Sequence, residues 1–300
     1  MRFVPREALA KTARSIGTWL AEASRPTLLT DSQEQRGAAW ESAWRQCTLA
    51  DSVSPLDASL LIAGGLLAGI VNTLAGGGSL LTVPLLVLLG LPGTLANGTN
   101  RVGVLIQNGV ATWGFRRQGV SGIRASVPVL IPVALGSLVG ASAISQVSSE
   151  LFERLFGAVM LILLVPTLRK PASRADPSAD PQIHSRLGAY LLFFAIGLYG
   201  GAFQAGVGIL LVFALSYAGY DLVRANSIKV VVVFAITFFA VPVFIAADQV
   251  AWLEALVLAI GFAAGGALGS RIAVRGGERV IRPVLAMAVL GLAGRMFGLY

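Results

Sequence analysis

Two short polar runs each open an apolar stretch of the chain, and each run carries one cation. The polar side chains are Asn97, Thr99, Asn100 and Arg101 in the first run and Asn226, Ser227 and Lys229 in the second. Amides, hydroxyls and cations supply hydrogen-bond donors and positive charge, which are the groups that hold a small anion. The two runs are therefore candidates for an anion site.

A glycine-broken stretch precedes each polar run. AGGGSLL extends from Ala75 to Leu81, and FQAGVGILL extends from Phe203 to Leu211. Glycine lets the backbone approach a ligand closely and leaves N–H groups at the start of the next helix, where the helix dipole favours anions. From these stretches the candidate site gains Gly76, Gly77, Gly78, Ser79 and Gln204. Close helix packing is the alternative role of these glycines.

Several residue types needed for proton transfer, catalysis or metal binding are missing from the apolar segments. Asp and Glu lie only at segment ends or between segments, which argues against a carboxylate proton relay. The sequence has no Ser–His pair, no paired aspartates within an apolar segment and no histidine-rich set. We therefore expect no enzyme activity, no metal site and no cofactor. The single cysteine, Cys47, excludes an intramolecular disulfide.

The composition indicates a lipid bilayer as the surroundings of this chain. Hydrophobic residues make up 55% and charged residues 13%, with a mean hydropathy of +0.76. A soluble domain of this composition would expose too much apolar surface. The net charge of +8 lies mainly in short loops between apolar runs. This is the distribution typical of membrane proteins, and we expect no nucleic-acid partner.

In a membrane the polar runs have a second interpretation. Asn97 and Asn226 would cap the helices that begin there, and the two cations would extend to the membrane interface. Against this, a cation near a helix N-terminus is unfavourable, so an anionic partner would stabilise Arg101 and Lys229. The cations are not strict equivalents, because Lys229 aligns with Asn100. Both interpretations stay open at this point.

The apolar part of the chain is duplicated at a spacing of 129 residues, as in the pair Gly136 and Gly265 and the pair Gly140 and Gly269. Each half contains five apolar segments. They span roughly 56 to 72, 79 to 91, 97 to 115, 125 to 145 and 151 to 168, then 187 to 203, 207 to 219, 225 to 245, 252 to 270 and 280 to 298. The predicted fold class is all-α, a polytopic transmembrane helical protein with two repeats.

The charged loops predict that the repeats are inverted. The linker at 169–186 is rich in proline and in Lys and Arg, so we expect it in the cytoplasm. Counting segments from it places Arg116 and Arg117 in the cytoplasm, as well as the loop at 271–282. The loop of Asp248, the repeat equivalent of the Arg116 loop, falls on the opposite side. Equivalent loops on opposite sides are typical of inverted repeats.

The second apolar segment of each half is too short to cross a membrane. About 13 residues of helix extend roughly 20 Å, against a hydrocarbon core of ~30 Å. With the segment before it, each could form a glycine-broken or re-entrant hairpin with its tip inside the membrane. The tips, Gly76 to Ser79 and Gln204 to Gly208, would then approach each other near the midplane.

These patterns divide the chain into four parts. Residues 1–54 form a polar N-terminal extension that the membrane part does not need. Residues 55–168 form the first transmembrane repeat, residues 169–186 the cytoplasmic linker, and residues 187–300 the second transmembrane repeat.

Two stretches resemble the sulfite exporter TauE/SafE family, also called the 4-toluene sulfonate uptake permease family. The first is LAGGGSLLTVPLLVLLGLPGTLANGTNRVGVLIQN, from Leu74 to Asn108, and the second is GLYGGAFQAGVGILLVFAL, from Gly197 to Leu215, followed by RANSIKV. The resemblance covers about residues 56 to 300. Val207 departs from it by interrupting the second glycine run, and so does the polar N-terminal extension.

The resemblance implies a multi-pass carrier of the bacterial inner membrane that moves sulfite, organosulfonates or related sulfur oxyanions. We expect the glycines and Ser79 to donate hydrogen bonds to the anion, Asn97, Thr99 and Asn226 to orient it, and Arg101 and Lys229 to balance its charge. The expected partners are a small anionic substrate and the lipid bilayer, with the oligomeric state undetermined. A membrane scaffold subunit and a carrier of another small organic anion are the alternatives.

Overall fold

The computed structural model describes the backbone of residues 53–167 and 186–296, and the side chains of 53–159, 187–216 and 218–276. The expected N-terminal extension and linker therefore lie almost wholly outside the described residues. The described part contains nine helices and no strands. They are α1 Pro55–Leu74, α2 Ser79–Leu88, α3 Gly93–Arg117, α4 Ile123–Ile144, α5 Ser149–Thr167, α6 Arg186–Phe203, α7 Val207–Tyr217, α8 Leu222–Ala246 and α9 Trp252–Met296. The all-α prediction is confirmed.

Helix bounds follow the 129-residue spacing of the sequence. Helix α3 and helix α8 begin and end at positions 129 residues apart, α1 and α6 end at such positions, and α4 and α9 begin at such positions. The duplicated sequence therefore folds into duplicated helices. The first three helices of each half form the unit around the glycine-broken stretch.

The surface and the lengths of the helices fit a membrane protein. Within the described residues, α1, α4, α8 and the stretch Trp252–Gly276 of α9 are long and apolar enough to cross a membrane. Large apolar side chains face outward on these helices, such as Ile131 at 73% exposure and Ile260 at 62%. Such a surface is stable in lipid and not in water.

Glycines bring helices of the two halves into backbone contact. Helix α4 packs on α6, because a Cβ added at Gly136 or Gly140 would lie within about 2.1 Å of a carbonyl oxygen of α6. Helix α1 packs on α9 in the same way through Gly265, where a Cβ would lie 2.4 Å from the Leu66 oxygen. The first helix of each half therefore packs against the fourth helix of the other half.

Contacts at their ends show that α3 and α8 run in opposite directions. The Thr99 hydroxyl, near the start of α3, accepts a hydrogen bond of 3.0 Å from the Ala251 N–H, just after the end of α8. The Ser227 hydroxyl, near the start of α8, donates to the Val120 carbonyl, just after the end of α3, at 3.3 Å. The start of each helix therefore meets the end of the other.

Helices α1 and α2 form an antiparallel hairpin. A Cβ at Gly64 would touch Leu85, and a Cβ at Gly78 would touch Ala68, so α2 returns along α1. The hairpin tip lies level with the middle of α3, since the Asn72 amide near the tip donates to Gln107 at 2.6 Å. The structure thus places the glycine stretch deep between helices.

In α9 and at the start of α3 the predicted helix bounds are wrong. Helix α9 runs unbroken from Trp252 to Met296, where the sequence predicted a charged loop at 271–282 between two segments. Glycine and charged residues cost a helix only about 1 kcal/mol or less each, so this stretch need not end one. Helix α3 begins at Gly93 rather than at 97, because Pro92 provides its N-terminal boundary.

Candidate functional site

The glycine-broken stretches end their helices through left-handed backbone conformations. Helix α1 ends at Leu74, and Gly76 follows with a φ of 91°. Helix α6 ends at Phe203, and Gln204 and Gly206 follow with φ of 60° and 69°. Helical geometry cannot continue through such residues, so each first helix stops inside the protein and a short helix restarts after it.

The two broken tips touch each other at glycine. A Cβ built on Gly76 would lie 2.2 Å from the carbonyl carbon of Gly208, and one built on Gly208 would lie 2.4 Å from the Cα of Gly76. The prediction that the tips approach each other is confirmed. Close packing therefore explains Gly76, and it explains Gly78, where a Cβ would lie 2.4 Å from the Ala68 oxygen. At Gly77 a Cβ would meet only side-chain carbons at 3.5 Å.

The start of α2 carries free hydrogen-bond donors. The N–H groups of Gly77, Gly78 and Ser79 find no acceptor among the described residues. Unpaired N–H groups are the normal condition of a helix N-terminus, and the helix dipole makes them attractive to an anion. All three residues are buried at the tip. The backbone can therefore contribute donors without any change of fold.

Arg101 binds the end of the broken helix of the other half. Its Nη1 donates to the Gly200 carbonyl at 3.1 Å and to the Gln204 side-chain oxygen at 3.2 Å, and its Nη2 donates to the Ala202 carbonyl at 2.8 Å. The Phe244 ring covers the guanidinium, with its centre 4.4 Å from Cζ. The carbonyl end of a helix is negative, so it stabilises the cation. Nε remains without a partner among the described residues.

Lys229 makes the reciprocal contact. Its Nζ donates to the carbonyls of Asn72 and Thr73 at the end of α1 and to the side-chain oxygen of Asn226, each at 2.7 Å. An ammonium group has three N–H donors, so all are in use. Arg101 and Lys229 therefore differ: the lysine is saturated, and the arginine keeps two of its five N–H donors free, one of them at Nε.

Both cations are fully buried, at 0% and 1% exposure for Arg101 and Lys229. They lie about two turns inside α3 and α8, and not in the first turn. Among the described side chains the buried charged groups are these two cations, with no buried carboxylate. The alternative interpretation of interface cations is therefore wrong.

The helix-cap interpretation of the two asparagines is wrong as well. Pro92 precedes α3, and the Asp221 carboxylate caps α8 by accepting from the N–H groups of Val223 and Arg224. Asn97 instead donates to the Ala202 carbonyl at 3.0 Å, beside Arg101. Asn97 and Asn226 therefore sit with the cations at the broken helix ends.

Of the remaining predicted residues, some lie at the tips and others form hydrogen bonds to loops away from the tips. The Asn100 amide donates to the Ser79 hydroxyl at 3.0 Å and accepts from Thr82, so it holds the start of α2. Gln204 joins Arg101 to the Thr237 hydroxyl, to which it donates at 3.1 Å. Thr99 and Ser227 bond the loops after α8 and α3 and do not reach the tips.

Behind the first tip lies a polar network of Gln107 and Asn108 of α3 with Asn72 and Thr73, and sequence reasoning missed the last two residues. The Gln107 amide accepts from Asn72 at 2.6 Å and donates to the Thr73 hydroxyl at 2.7 Å, and Asn108 donates to the same Gln107 oxygen at 3.1 Å. The signal available in the sequence was the polar pair Asn72 and Thr73 just before the glycine run. This network fixes the carbonyls that bind Lys229.

The comparison with known protein families identifies the chain. The model of the family described as "Sulfite exporter TauE/SafE" matches residues 61–296. The chain belongs to this family. It is therefore a membrane transporter, and the expectation that it is not an enzyme is confirmed, because the family is one of transporters.

Curated relatives from three bacteria agree with this assignment. A probable membrane transporter protein, ORF9, of a Sinorhizobium species is 26% identical over 79% of this chain and 91% of its own length. One of Haemophilus influenzae is 26% identical over 79% of this chain and 93% of its length. The probable membrane transporter YfcA of Escherichia coli K12 is 23% identical over 81% of this chain and 91% of its length. No solved structure matches the chain.

Proposed function

We propose that this transporter exports sulfite, organosulfonates or a related small sulfur oxyanion across the bacterial inner membrane. The anion would bind at the two broken tips. The N–H groups at the start of α2, with Ser79 beside them, would donate hydrogen bonds. Arg101 and Lys229 would supply the positive charge, and Asn97 and Asn226 would orient the ligand.

The observation that carries this proposal is the pair of buried cations without a buried carboxylate in the described part of the chain. A buried charge is costly unless it is paired, and carbonyl oxygens compensate only part of it. An entering anion would complete the compensation. Arg101 can bind it through the free Nε without giving up its carbonyl contacts, whereas Lys229 would have to exchange one of its three.

We infer that the two repeats are inverted and that both hairpins are re-entrant. Supporting this, the equivalent helices α3 and α8 run antiparallel, and the α1–α2 hairpin returns toward the start of α3. Inverted repeats with discontinuous helices at their interface are the design of many secondary transporters. Substrate passage would then require the contact between Gly76 and Gly208 to open toward one side at a time.

Export needs no coupling ion on energetic grounds. With the cell interior negative, each anionic charge that leaves gains about 2.3 kcal/mol per 100 mV. Uptake would require a coupling ion. A carboxylate relay for coupled protons would need buried acidic side chains, and none occurs among the described side chains. The membrane potential alone is therefore the proposed driving force.

The deciding experiment is counterflow in proteoliposomes that contain the purified full-length chain. Labelled sulfite should exchange with unlabelled sulfite inside the vesicles, sulfonates are tested beside it, and sulfate and carboxylates should compete weakly. A carrier of another organic anion is the second candidate, and preferential exchange of a carboxylate would favour it. Exchange of no anion, together with a co-purifying partner protein, would contradict the carrier and favour a scaffold subunit.

A further inference from the structure

We infer that the transported species is a monoanionic oxyanion that retains one hydrogen-bonding hydrogen, held between Arg101 Nε and Asn97 Oδ1. The inference rests on the proposed function and specifies the protonation state of its substrate. Hydrogensulfite has this chemistry. The sulfite dianion, sulfate and simple alkanesulfonates present only acceptor oxygens.

Two unpaired polar atoms belong to side chains that meet at one carbonyl at the end of α6. Asn97 and Arg101 are one turn apart on α3 and both have 0% exposure. Both donate to the carbonyl of Ala202, Asn97 at 3.0 Å and Arg101 at 2.8 Å. Their remaining atoms, Asn97 Oδ1 and Arg101 Nε, have no hydrogen-bond partner among the described residues. Buried polar atoms are normally paired, so these two indicate a missing ligand.

The chemistry of the two atoms is fixed by their neighbours. Rotating the Asn97 amide would bring its oxygen against the Ala202 carbonyl oxygen, so the nitrogen must face Ala202 and the free atom is an acceptor. An arginine Nε always carries hydrogen, so the other free atom is a charged donor. A ligand with one negative oxygen and one O–H group pairs with both. A fully deprotonated ligand would place a negative oxygen against Asn97 Oδ1.

The helix end also disfavours a dianion. The carbonyls of Gly200 and Ala202 form the negative end of α6, and Arg101 already compensates them through Nη1 and Nη2. One further negative charge matches the two N–H donors that the guanidinium keeps free, one of them at Nε. A second would meet the carbonyl dipoles without another cation at this helix end, because Lys229 is bound at the end of α1.

The test is counterflow of labelled sulfite in proteoliposomes at several pH values across the second ionisation of sulfite, which lies near neutrality. The KM in total sulfite should rise by about tenfold for each pH unit above that ionisation, while the KM in hydrogensulfite stays constant. Methanesulfonate, a monoanion without a hydrogen to donate, should inhibit much more weakly than hydrogensulfite at every pH. A KM in total sulfite that does not rise with pH, or equal inhibition by methanesulfonate, would overturn the inference and leave sulfite transport standing. Absence of sulfite exchange at every pH would overturn the proposed function and this inference together.

A variant of Asn97 tests the acceptor directly. Asn97→Ala should raise the KM for hydrogensulfite by about tenfold and leave the weak inhibition by methanesulfonate unchanged, because only the O–H partner is lost. Gln118→Ala is the control, since Gln118 is a half-buried amide just after α3 that donates to the Gly114 carbonyl at 2.9 Å, away from the tips. Asn97→Ser, which keeps a donor for Ala202, replaces the alanine variant if that variant is unstable by size-exclusion chromatography. A folded Asn97 variant with the wild-type preference for hydrogensulfite would contradict the inference.

Discussion

Arg101 and Lys229 each have a structural role and a proposed role in anion binding. Each cation binds the carbonyl end of the broken helix in the other half, which stabilises an unwound backbone segment inside the membrane part of the protein. Each also supplies positive potential where the proposed anion binds. The same contacts therefore link the fold of the two halves to the proposed anion site.

Replacing Arg101 should weaken anion binding strongly. Arg101→Gln should lower the affinity for sulfite by about thirtyfold or more, since loss of one partner of a buried charge pair costs about 2 kcal/mol or more. Lys229→Gln should have an effect in the same direction. Substrate-dependent thermal stabilisation of the detergent-solubilised protein measures the affinity.

Arg117→Gln is the control for both variants. Arg117 is exposed and stacks on Trp113, with Cζ 3.9 Å from the ring centre, so its charge is screened by solvent. It should leave the affinity unchanged. Arg101→Lys keeps the charge without the planar fork and should retain more stability than Arg101→Gln. Well-folded glutamine variants with unchanged affinity would remove the two cations from the site.

The glycine run offers a second test at single residues. Gly76→Ala should destabilise the protein by about 1–3 kcal/mol or more, because the new Cβ meets the backbone of Gly208 and the φ of 91° strains an alanine. Gly77→Ala should be tolerated, because its Cβ meets only flexible side chains. Melting temperatures in detergent compare them. Equal stability of the two variants would contradict the observed contact between the tips.

At the scale of elements, the packing of α4 on α6 and of α1 on α9 depends on small residues. Helices α4 and α6 and helices α1 and α9 approach so closely that carbonyl oxygens occupy the positions of missing side chains. Packing, rather than a hydrophobic driving force, holds helices together in lipid. The broken helices α1 and α6 are therefore held by partners from the opposite half.

Gly140→Ala should separate α4 from α6. Its Cβ would lie 2.0 Å from the Leu198 oxygen, which no rotamer change relieves, and the expected cost is about 1–3 kcal/mol. The matched control is Gly157→Ala in α5, where a Cβ meets nothing within 4 Å. That control should be neutral or slightly stabilising, because alanine favours helix. The readout is the fraction of membrane-inserted protein that survives heating; a stable Gly140→Ala protein would refute the close approach.

At the scale of the whole molecule, the arrangement in the membrane follows from the antiparallel pair α3 and α8. The loop after α3 and the loop after α8 are repeat equivalents. If the repeats are inverted, these two loops face opposite sides of the membrane. The excess of Lys and Arg around the first loop predicts that this loop lies in the cytoplasm.

Cysteine labelling tests this topology. In a chain with Cys47 replaced, Ser121→Cys should react with a membrane-impermeant maleimide only from the cytoplasmic side, and Ala247→Cys only from the outside. Both positions are exposed and lie in the two equivalent loops. Intact cells and inverted membrane vesicles give the two directions of access. Labelling of both cysteines from the same side would refute the inverted arrangement.

The sequence by itself determined the class of surroundings, the helices and the duplication. These follow from hydropathy and spacing, which are local properties, and the 129-residue spacing reappears in the helix bounds. The glycine run also indicated where α1 breaks, because glycine readily adopts the left-handed backbone that Gly76 has just after the helix end.

Only the tertiary structure decided what the chemical groups touch. Arg101 donates a hydrogen bond to the Ala202 carbonyl and Lys229 donates one to the Asn72 carbonyl. These partners are 101 and 157 residues apart in the sequence, and no local pattern reveals them. The same holds for Thr99, which belongs to the polar run by sequence but turns to the start of α9. Successive residues of a helix are rotated by about 100° around its axis, so neighbouring side chains point to different parts of the protein. A run of polar residues is therefore divided between the candidate site and the contacts with other helices.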